Sequence, residues 1–337
     1  MISMVTDIKK WQKVLSEVDT YDFYHTYEYH IIAKKQDETP LLFLYTHKRI
    51  IVALPLLRRA IKGTPYFDLT SVYGYAGPLS KNVDHDYDND HFIKEFKEML
   101  GVLKITTIFS RLHPYIPFQQ QVLKNLGNTP VLGKVVNIDL GLPLELQKRQ
   151  YSKSTRNRVN KCRRCCTVTN GSTEEDIHTF MSIYKENMDR VSASKEYYFA
   201  KKYYLDLLHS TAFKTTMLLL HHAETQESMA AALFIQTNEM VQFHLSGTRT
   251  KFLKLAPANL FLDEMRLKAT EEGYRYFNLG GGLGAKEDAL FSFKASFSKD
   301  HKDFRVWQYI VDQPVYNVLS RKKQTRSKND YFPLYRG

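Results

Sequence analysis

An α/β protein built from two similar mixed-sheet halves is what this sequence predicts, and three observations carry the expectation. Two hairpin-like stretches recur far apart, LLFLYTHKRIIVALPLLRR (41–59) and TMLLLHHAETQESMAAALFIQT (216–237). Each precedes a strand with glycine near its end, then a helix, then another strand, and strands interleaved with amphipathic helices indicate a mixed sheet covered by helices. The chain has 337 residues, room for two ordinary domains. Self-similarity at so long a period reads as a duplicated unit.

In the first half His47-Lys48-Arg49 forms the hairpin turn, and β-branched residues follow it. Next come FDLTSVYGYAGPLS (67–80), a helix near 91–103 and a strand ITTIFSRL (105–112). The junction is expected between Gly133 and Gln150, giving an N-terminal domain over 1–145 and a C-terminal domain over 146–312. In the second half the hairpin leads to the strand MVQFHLSGT (240–248), a helix over 257–272 and the strand YRYFNLGGG (274–282). Pro257 suits the first turn of that helix, where its missing N–H is harmless. Leu260, Phe261, Met265 and Leu267 supply its apolar face, and Gly273 is a C′ terminator. Residues 313–337, with SRKKQTRSKND, read as a polar, basic tail: a solvated end or a contact for a polyanion.

The composition is globular, with 43% hydrophobic, 13% aromatic and 25% charged residues. No run reaches the roughly 20 apolar residues of a membrane helix. The start, MISMVTDIKKWQKVLSEV, has no apolar stretch followed by small residues, so a cytoplasmic location is expected. A formal charge of +12 favours anionic partners such as tRNA, nucleotide-linked sugars, coenzyme A or a membrane surface. Cys162, Cys165 and Cys166 lack a second ligand pair nearby in sequence, so no metal is expected. On a helix they share a stripe with Tyr151, Thr155 and Val159, which reads as buried thiols.

Three segments stand out for chemistry. KSTRNRVNKCRR (153–164) holds six Lys or Arg and no acid. As an amphipathic helix it has a cationic wet face carrying Arg156 and either Arg163 or Arg164. That face is either simply solvated or turned toward RNA or phosphate. NLGGGLGAKEDALFSFKASFS (278–298) runs a strand into Gly280, Gly281 and Gly282, which permit positive φ and close approach to a ligand. It has neither the dinucleotide-binding spacing nor a P-loop Gly-Lys-Ser/Thr. HTYEYH (25–30) with SVYGYAGPL (71–79) lines a polar cleft or packs an edge.

The order FHLSGT, APANLFLDEMRLKATEEGYRYFNLGGG and DALFSFKASFS, with FYHTYEYHII near the start and SKSTRNRVNK at mid-chain, resembles the Fem family. These are non-ribosomal peptidoglycan bridge-forming aminoacyltransferases, and the resemblance is closer still to GNAT-annotated relatives encoded with cell-surface polysaccharide genes. It spans residues 20–300 and implies two tandem GNAT-like domains with substrate in the cleft between them. It also implies transfer of an amino acid from aminoacyl-tRNA to an amine on a nucleotide-linked muropeptide. The family's Phe-Lys pair matches Phe293 and Lys294, with the lysine stabilising the transition state. The arginine and tyrosine that hold the precursor phosphates are assigned to Arg190 and Tyr198, and the precursor-contacting lysine to Lys34. His244 and Ser246 of FHLSGT join them as substrate-binding candidates.

Two departures matter. No counterpart of the coiled-coil arm of some Fem proteins is present. The glycines of the acetyl-CoA loop are also missing from KFLKLAPANL (251–260), which reduces the amides available to a pyrophosphate. The reading is therefore acyl transfer from an activated ester to a primary amine, with aminoacyl-tRNA as donor and no cofactor. Lys294 meets the tetrahedral oxyanion. Possible general bases are His113, His244 and Asp288. One alternative is an acyl-CoA-dependent N-acyltransferase acting on an amino sugar. Another is a non-catalytic RNA-binding protein on a GNAT-like fold.

Overall fold

The computed structural model describes residues 1–321 and 331–337. In chain order the first elements are β1 (Ile2–Val5), α1 (Ile8–Glu17), α2 (Tyr27–Ala33), β2 (Glu38–His47), β3 (Ile50–Ala60), β4 (Phe67–Thr70) and β5 (Leu79–Lys81). Then come α3 (Asp90–Val102), β6 (Ile105–Arg111), α4 (Gln119–Leu123), β7 (Val131–Asp139), α5 (Leu144–Arg149), α6 (Lys153–Cys165), β8 (Cys166–Gly171), α7 (Glu174–Arg190) and α8 (Lys201–Leu208). The chain continues with β9 (Lys214–His222), β10 (Ser228–Thr237), β11 (Met240–Thr248), α9 (Ala258–Glu271), β12 (Tyr276–Gly280), α10 (Ala289–Ala295), β13 (Asp300–Ile310) and α11 (Gln313–Arg321).

Two compact units result, Met1–Leu132 with Asp303–Gly337, and Gly133–Lys302. The strands run β1-β2-β3-β4-β6-β13 in the first and β8-β9-β10-β11-β12-β7 in the second, with β5 added on β3. Read in those orders, each unit shows three antiparallel pairings, one parallel pairing and one antiparallel pairing. The duplicated unit is therefore real at the level of strand order, and β6 corresponds to β12.

The expected division into 1–145, 146–312 and 313–337 needs correction. β7 follows β6 in sequence but pairs with β12, while β13 follows β12 but pairs with β6. The ladder decides membership, because a buried strand needs partners for its N–H and C=O groups on both sides. Nor are residues 313–321 and 331–337 a loose tail. Tyr316 and Tyr335 are buried against Ile61, Tyr335 bonds the hydroxyl of buried Thr107, and Arg336 donates to Asp68. Of the basic stretch SRKKQTRSKND, the part beyond Arg321 lies outside the described residues.

The first unit closes around Phe43, Val52, Leu54, Phe92, Phe96, Ile108 and Trp307. The second closes around Val159, Cys162, Phe234, Val241, Phe261, Met265, Phe277 and Phe297. Helix α9 ends as its sequence dictates. Gly273 takes φ +81°, its N–H bonds Thr270, and the N–H of Tyr274 reaches back to Ala269, the paired closure of a Schellman motif. On α6, Thr155, Val159 and Cys162 face the core. Cys166 is also buried, but it opens β8 instead of extending the helix.

Candidate acyl-transfer site in the second unit

The site is an interruption in the sheet of the second unit. β11 and β12 pair in parallel only from Met240↔Tyr276 to Gln242↔Asn278. Beyond that, β11 continues to Thr248 without β12 beside it, and Phe243, His244, Leu245 and Ser246 are all half-buried. A β-bulge sits at the same place: Phe234 opposes Phe243 and Leu233 opposes Leu245, leaving His244 as the extra residue. Bulges bend a strand and re-aim its side chains, and they gather next to active sites. Asn278 marks the last pairing by donating to Gln242 and accepting from the N–H of Gly280.

Beyond Gly280 the chain turns into α10. Gly280 uses φ +76°. A Cβ on Gly281 would stand 2.7 Å from the carbonyl oxygen of Lys134, and one on Gly282 would stand 2.1 Å from that of Lys286. These two glycines are thus required by the protein's own backbone. Asp288 caps α10. It accepts from the N–H groups of Phe291 and Leu283, and those bonds hold its carboxyl below the usual range. This is a structural cap and a poor base.

Lys294 sits on the last turn of α10, 8% exposed. Its Nζ donates to the carbonyl of Gly281 at 2.7 Å and lies 6.0 Å from the ring centre of Phe243, on β11 just beyond its pairing with β12. Burial pushes its pKa down to about 8, with Asp288 acting in the opposite direction. The helical spacing of Leu290, Phe293 and Phe297 in LFSFKASF predicts that these three form the core face, with Lys294 one step off it. Instead Leu290 is 44% exposed, while Phe291, Lys294 and Phe297 are buried. Phe293 is partly buried and meets Phe297 edge-on.

On β11, His244 shares a 2.7 Å hydrogen bond with the hydroxyl of Tyr203. Tyr203 in turn stacks on Phe199 with ring centres 4.2 Å apart. Burial pushes His244 down to about 4, so its imidazole is neutral at neutral pH. Nothing in KEYYFAKKYYLDLL singles out Tyr203, whose partner lies 41 residues away. Near the end of β11, Arg190 donates to the carbonyl of Thr248 and to Asn187. Tyr198 donates to Asp189, which also pairs with Lys185.

One further expectation, His113 as a general base, is corrected. His113 lies in the first unit and is fully enclosed with Asp22, Nε2 to Oδ2 3.0 Å, which excludes it as an accessible base. Lys34, also in the first unit, follows the last turn of α2 and donates its N–H to His30. On α6, Arg163 is committed to Asp263 and Glu264 of α9, and Arg156 donates to the carbonyl of Tyr151. Of the three predicted RNA-facing arginines, only Arg164 is exposed without a carboxylate partner among the described residues.

The stretch preceding α9 is where a coenzyme A pyrophosphate loop would lie. Here Thr250–Leu255 is a 3-10 segment, and Ala256 takes φ +53°. The N–H groups of Phe252, Ala256, Asn259 and Leu260 bond the carbonyls of Arg249, Leu253, Ala256 and Pro257. These four amides are spent within the chain.

Residues 148–289 match the family model described as an acetyltransferase (GNAT) domain. The fold is that of two tandem GNAT-like units. The crystal structure of FemX superposes with a TM-score of 0.73 at 13% identity, covering 94% of this chain and 99% of that one. L-PGS from Bacillus licheniformis gives 0.58 at 15% identity, covering 96% and 98%. The C-terminal domain of a putative lysylphosphatidylglycerol synthetase from Agrobacterium fabrum gives 0.57 at 12%, covering 89% and 91%. Among curated proteins no sequence matches. No helix among the described residues is long and apolar enough to cross a membrane.

Proposed function

We propose that this protein transfers an amino acid from the ester of an aminoacyl-tRNA to a primary amine of a nucleotide-linked cell-wall precursor. The observation that carries the reading is the break between β11 and β12, with the buried Lys294 ammonium held beside it. The amine attacks the ester carbonyl, a C–N bond forms, and the carbonyl oxygen becomes an oxyanion. Lys294, fixed by Gly281 and Phe243, offers a preorganised charge to that oxygen. Collapse breaks the bond to the ribose oxygen, which takes up the proton the amine releases. His244 and Ser246 lie on β11 beyond its pairing with β12, and Phe293 supports α10. Arg190 and Tyr198 in the second unit and Lys34 in the first are the residues we assign to the precursor.

The spent amides before α9 argue against coenzyme A as donor in this unit, since a pyrophosphate needs free N–H groups there. The likeness to FemX supports the fold, and the donor rests on the resemblance in FHLSGT and FSFKASF. The test is label transfer to a nucleotide-linked muropeptide from charged tRNA and, in parallel, from acetyl-CoA. Transfer from tRNA alone is expected. Transfer from acetyl-CoA alone would install the N-acyltransferase reading, and binding of RNA with no transfer from either donor would install the non-catalytic one.

A further inference from the structure

Strand β8 (Cys166–Gly171) closes one side of the second unit's sheet. It pairs with β9, and among the described residues no strand lies on its other side. The carbonyl of Cys165 accepts from the N–H of Ala223 beside β9. Backbone groups alternate along an extended strand, so Thr167, Thr169 and Gly171 turn theirs to β9, and Cys166, Val168 and Asn170 turn theirs outward. Such a row is a template for another strand, and folded proteins usually blunt it with charge, proline or a bulge. β8 has none of these: it reads CTVTNG, and its ladder with β9 runs without a register shift. Thr167, Thr169 and Asn170 are exposed.

The charges that flank β8 have opposite sign at its two ends. α6 runs into it with Lys161 and Arg164 exposed, and α7 begins shortly after it with Glu174 and Glu175 exposed. Glu174 pairs with Lys201. Lys161, Arg164 and Glu175 have no opposite charge beside them among the described residues.

We propose that β8 pairs antiparallel with β8 of a second copy of this chain, across a twofold axis. Such an axis sets the start of one strand against the end of the other, so the cations before one β8 meet the acids after its mate. Parallel pairing would place like charges side by side. The register that uses all three outward residues centres on Val168. There Val168 faces Val168 and Cys166 faces Asn170, each pair exchanging both N–H···O bonds, with Thr167 opposite Thr169 between them. Arg164 is then carried toward residues 172–175 of the second copy. Six residues a side make a contact far smaller than the roughly 1,600 Å² of a standard interface. The pair therefore forms at high micromolar concentration, and the chain is monomeric at low micromolar. The inference is independent of the proposed reaction.

The test is sedimentation equilibrium of the full chain from about 5 to 500 μM. The average mass should climb from monomer toward dimer and stop there, and it should climb less at high salt. Asn170→Pro deletes one outward N–H and leaves the ladder with β9 intact, so it should hold the chain monomeric at an unchanged melting temperature. Thr167→Lys with Thr169→Lys, at two exposed positions, sets like charges opposite each other and should do the same if the proline variant folds poorly. Arg164→Glu alone and Glu175→Arg alone should each weaken association about three- to tenfold, since each pair occurs twice across the axis. The two reversals together should restore it. A monomer at every concentration would overturn the proposal, as would a dimer indifferent to both β8 variants. Charge reversals that fail to rescue one another would overturn the antiparallel pairing.

Discussion

Lys294 keeps a charge in a place that resists one. Its pKa of about 8, against an ordinary 10.5, means that the folded state holds the proton less tightly than the unfolded chain does. Between those two values the unfolded state binds more protons, so stability should rise with pH across that interval. Lys294→Met removes this dependence, and the gap in urea midpoint between wild type and variant should widen in favour of wild type from pH 8 to pH 10. The activity has the opposite slope, because the cation is the working form: wild-type turnover should fall as pH rises through about 8. In Lys294→Met at pH 7, turnover should drop about 10²–10³-fold. A loss under tenfold, or a pH profile flat to pH 9, would remove Lys294 from the chemistry. Asp263 is the second residue where charge and burial meet. Burial alone would raise its carboxyl, but Arg266, Arg163 and Tyr151 outweigh that and hold it low. A depressed carboxylate contributes stability above its unfolded pKa and loses it as pH falls through the folded one. Asp263→Ala leaves Arg266 buried without its anion and should cost about 3–5 kcal/mol in urea unfolding. Sequence periodicity found Leu260, Phe261 and Met265 on that helix. It had no means of finding the buried Asp263–Arg266 pair, whose charges look like surface residues until Tyr151 and Gln147 arrive from elsewhere in the chain.

At the scale of elements, what was legible followed from local rules. The hairpins at 41–59 and 216–237 and the end of α9 at Gly273 are written in β-branched runs and a single glycine. Gly273 has open space where a Cβ would go, so only its φ of +81° opposes substitution. Gly273→Ala should therefore cost about 1–2 kcal/mol, seen as a lower melting temperature, with Gly273→Asn cheaper. A neutral Ala variant would mean that the turn can relax to negative φ. The bulge at His244 had no such signature, because MVQFHLSGT alternates like any strand and the extra residue appears only against Leu233 and Phe234 of β10. For the same reason the break between β11 and β12 is invisible in the sequence, although His244, Ser246, Gly280 and Lys294 beside it are named there. Helix α10 shows the limit of periodicity over seven residues. Leu290 and Phe291 compete for one core position, and the cap at Asp288 sets the phase that turns Phe291 and Lys294 inward.

For the whole molecule, the exchange of β7 and β13 decides where one folding unit ends. A boundary drawn by composition at 145 cuts after β7 and assigns it to the wrong sheet, because β7 completes the pairing of β12 through Val136–Asp139. Without it, β12 would expose the ladder edge of Phe277 and Asn278, both buried in the native sheet, and would invite association with other chains. A fragment of residues 133–302 contains five strands of its sheet entire, β7 short of only its first two residues, and the core around Phe234, Phe261 and Phe277. It is expected to unfold cooperatively in urea as a monomer. A fragment of residues 146–312 lacks β7 and carries β13 without β6, and it is expected to aggregate or to show no cooperative transition. Cooperative, monomeric unfolding of the shorter fragment, measured by circular dichroism and light scattering, would show that the second sheet stands without its exchanged strand, and the sequence-based boundary would be restored.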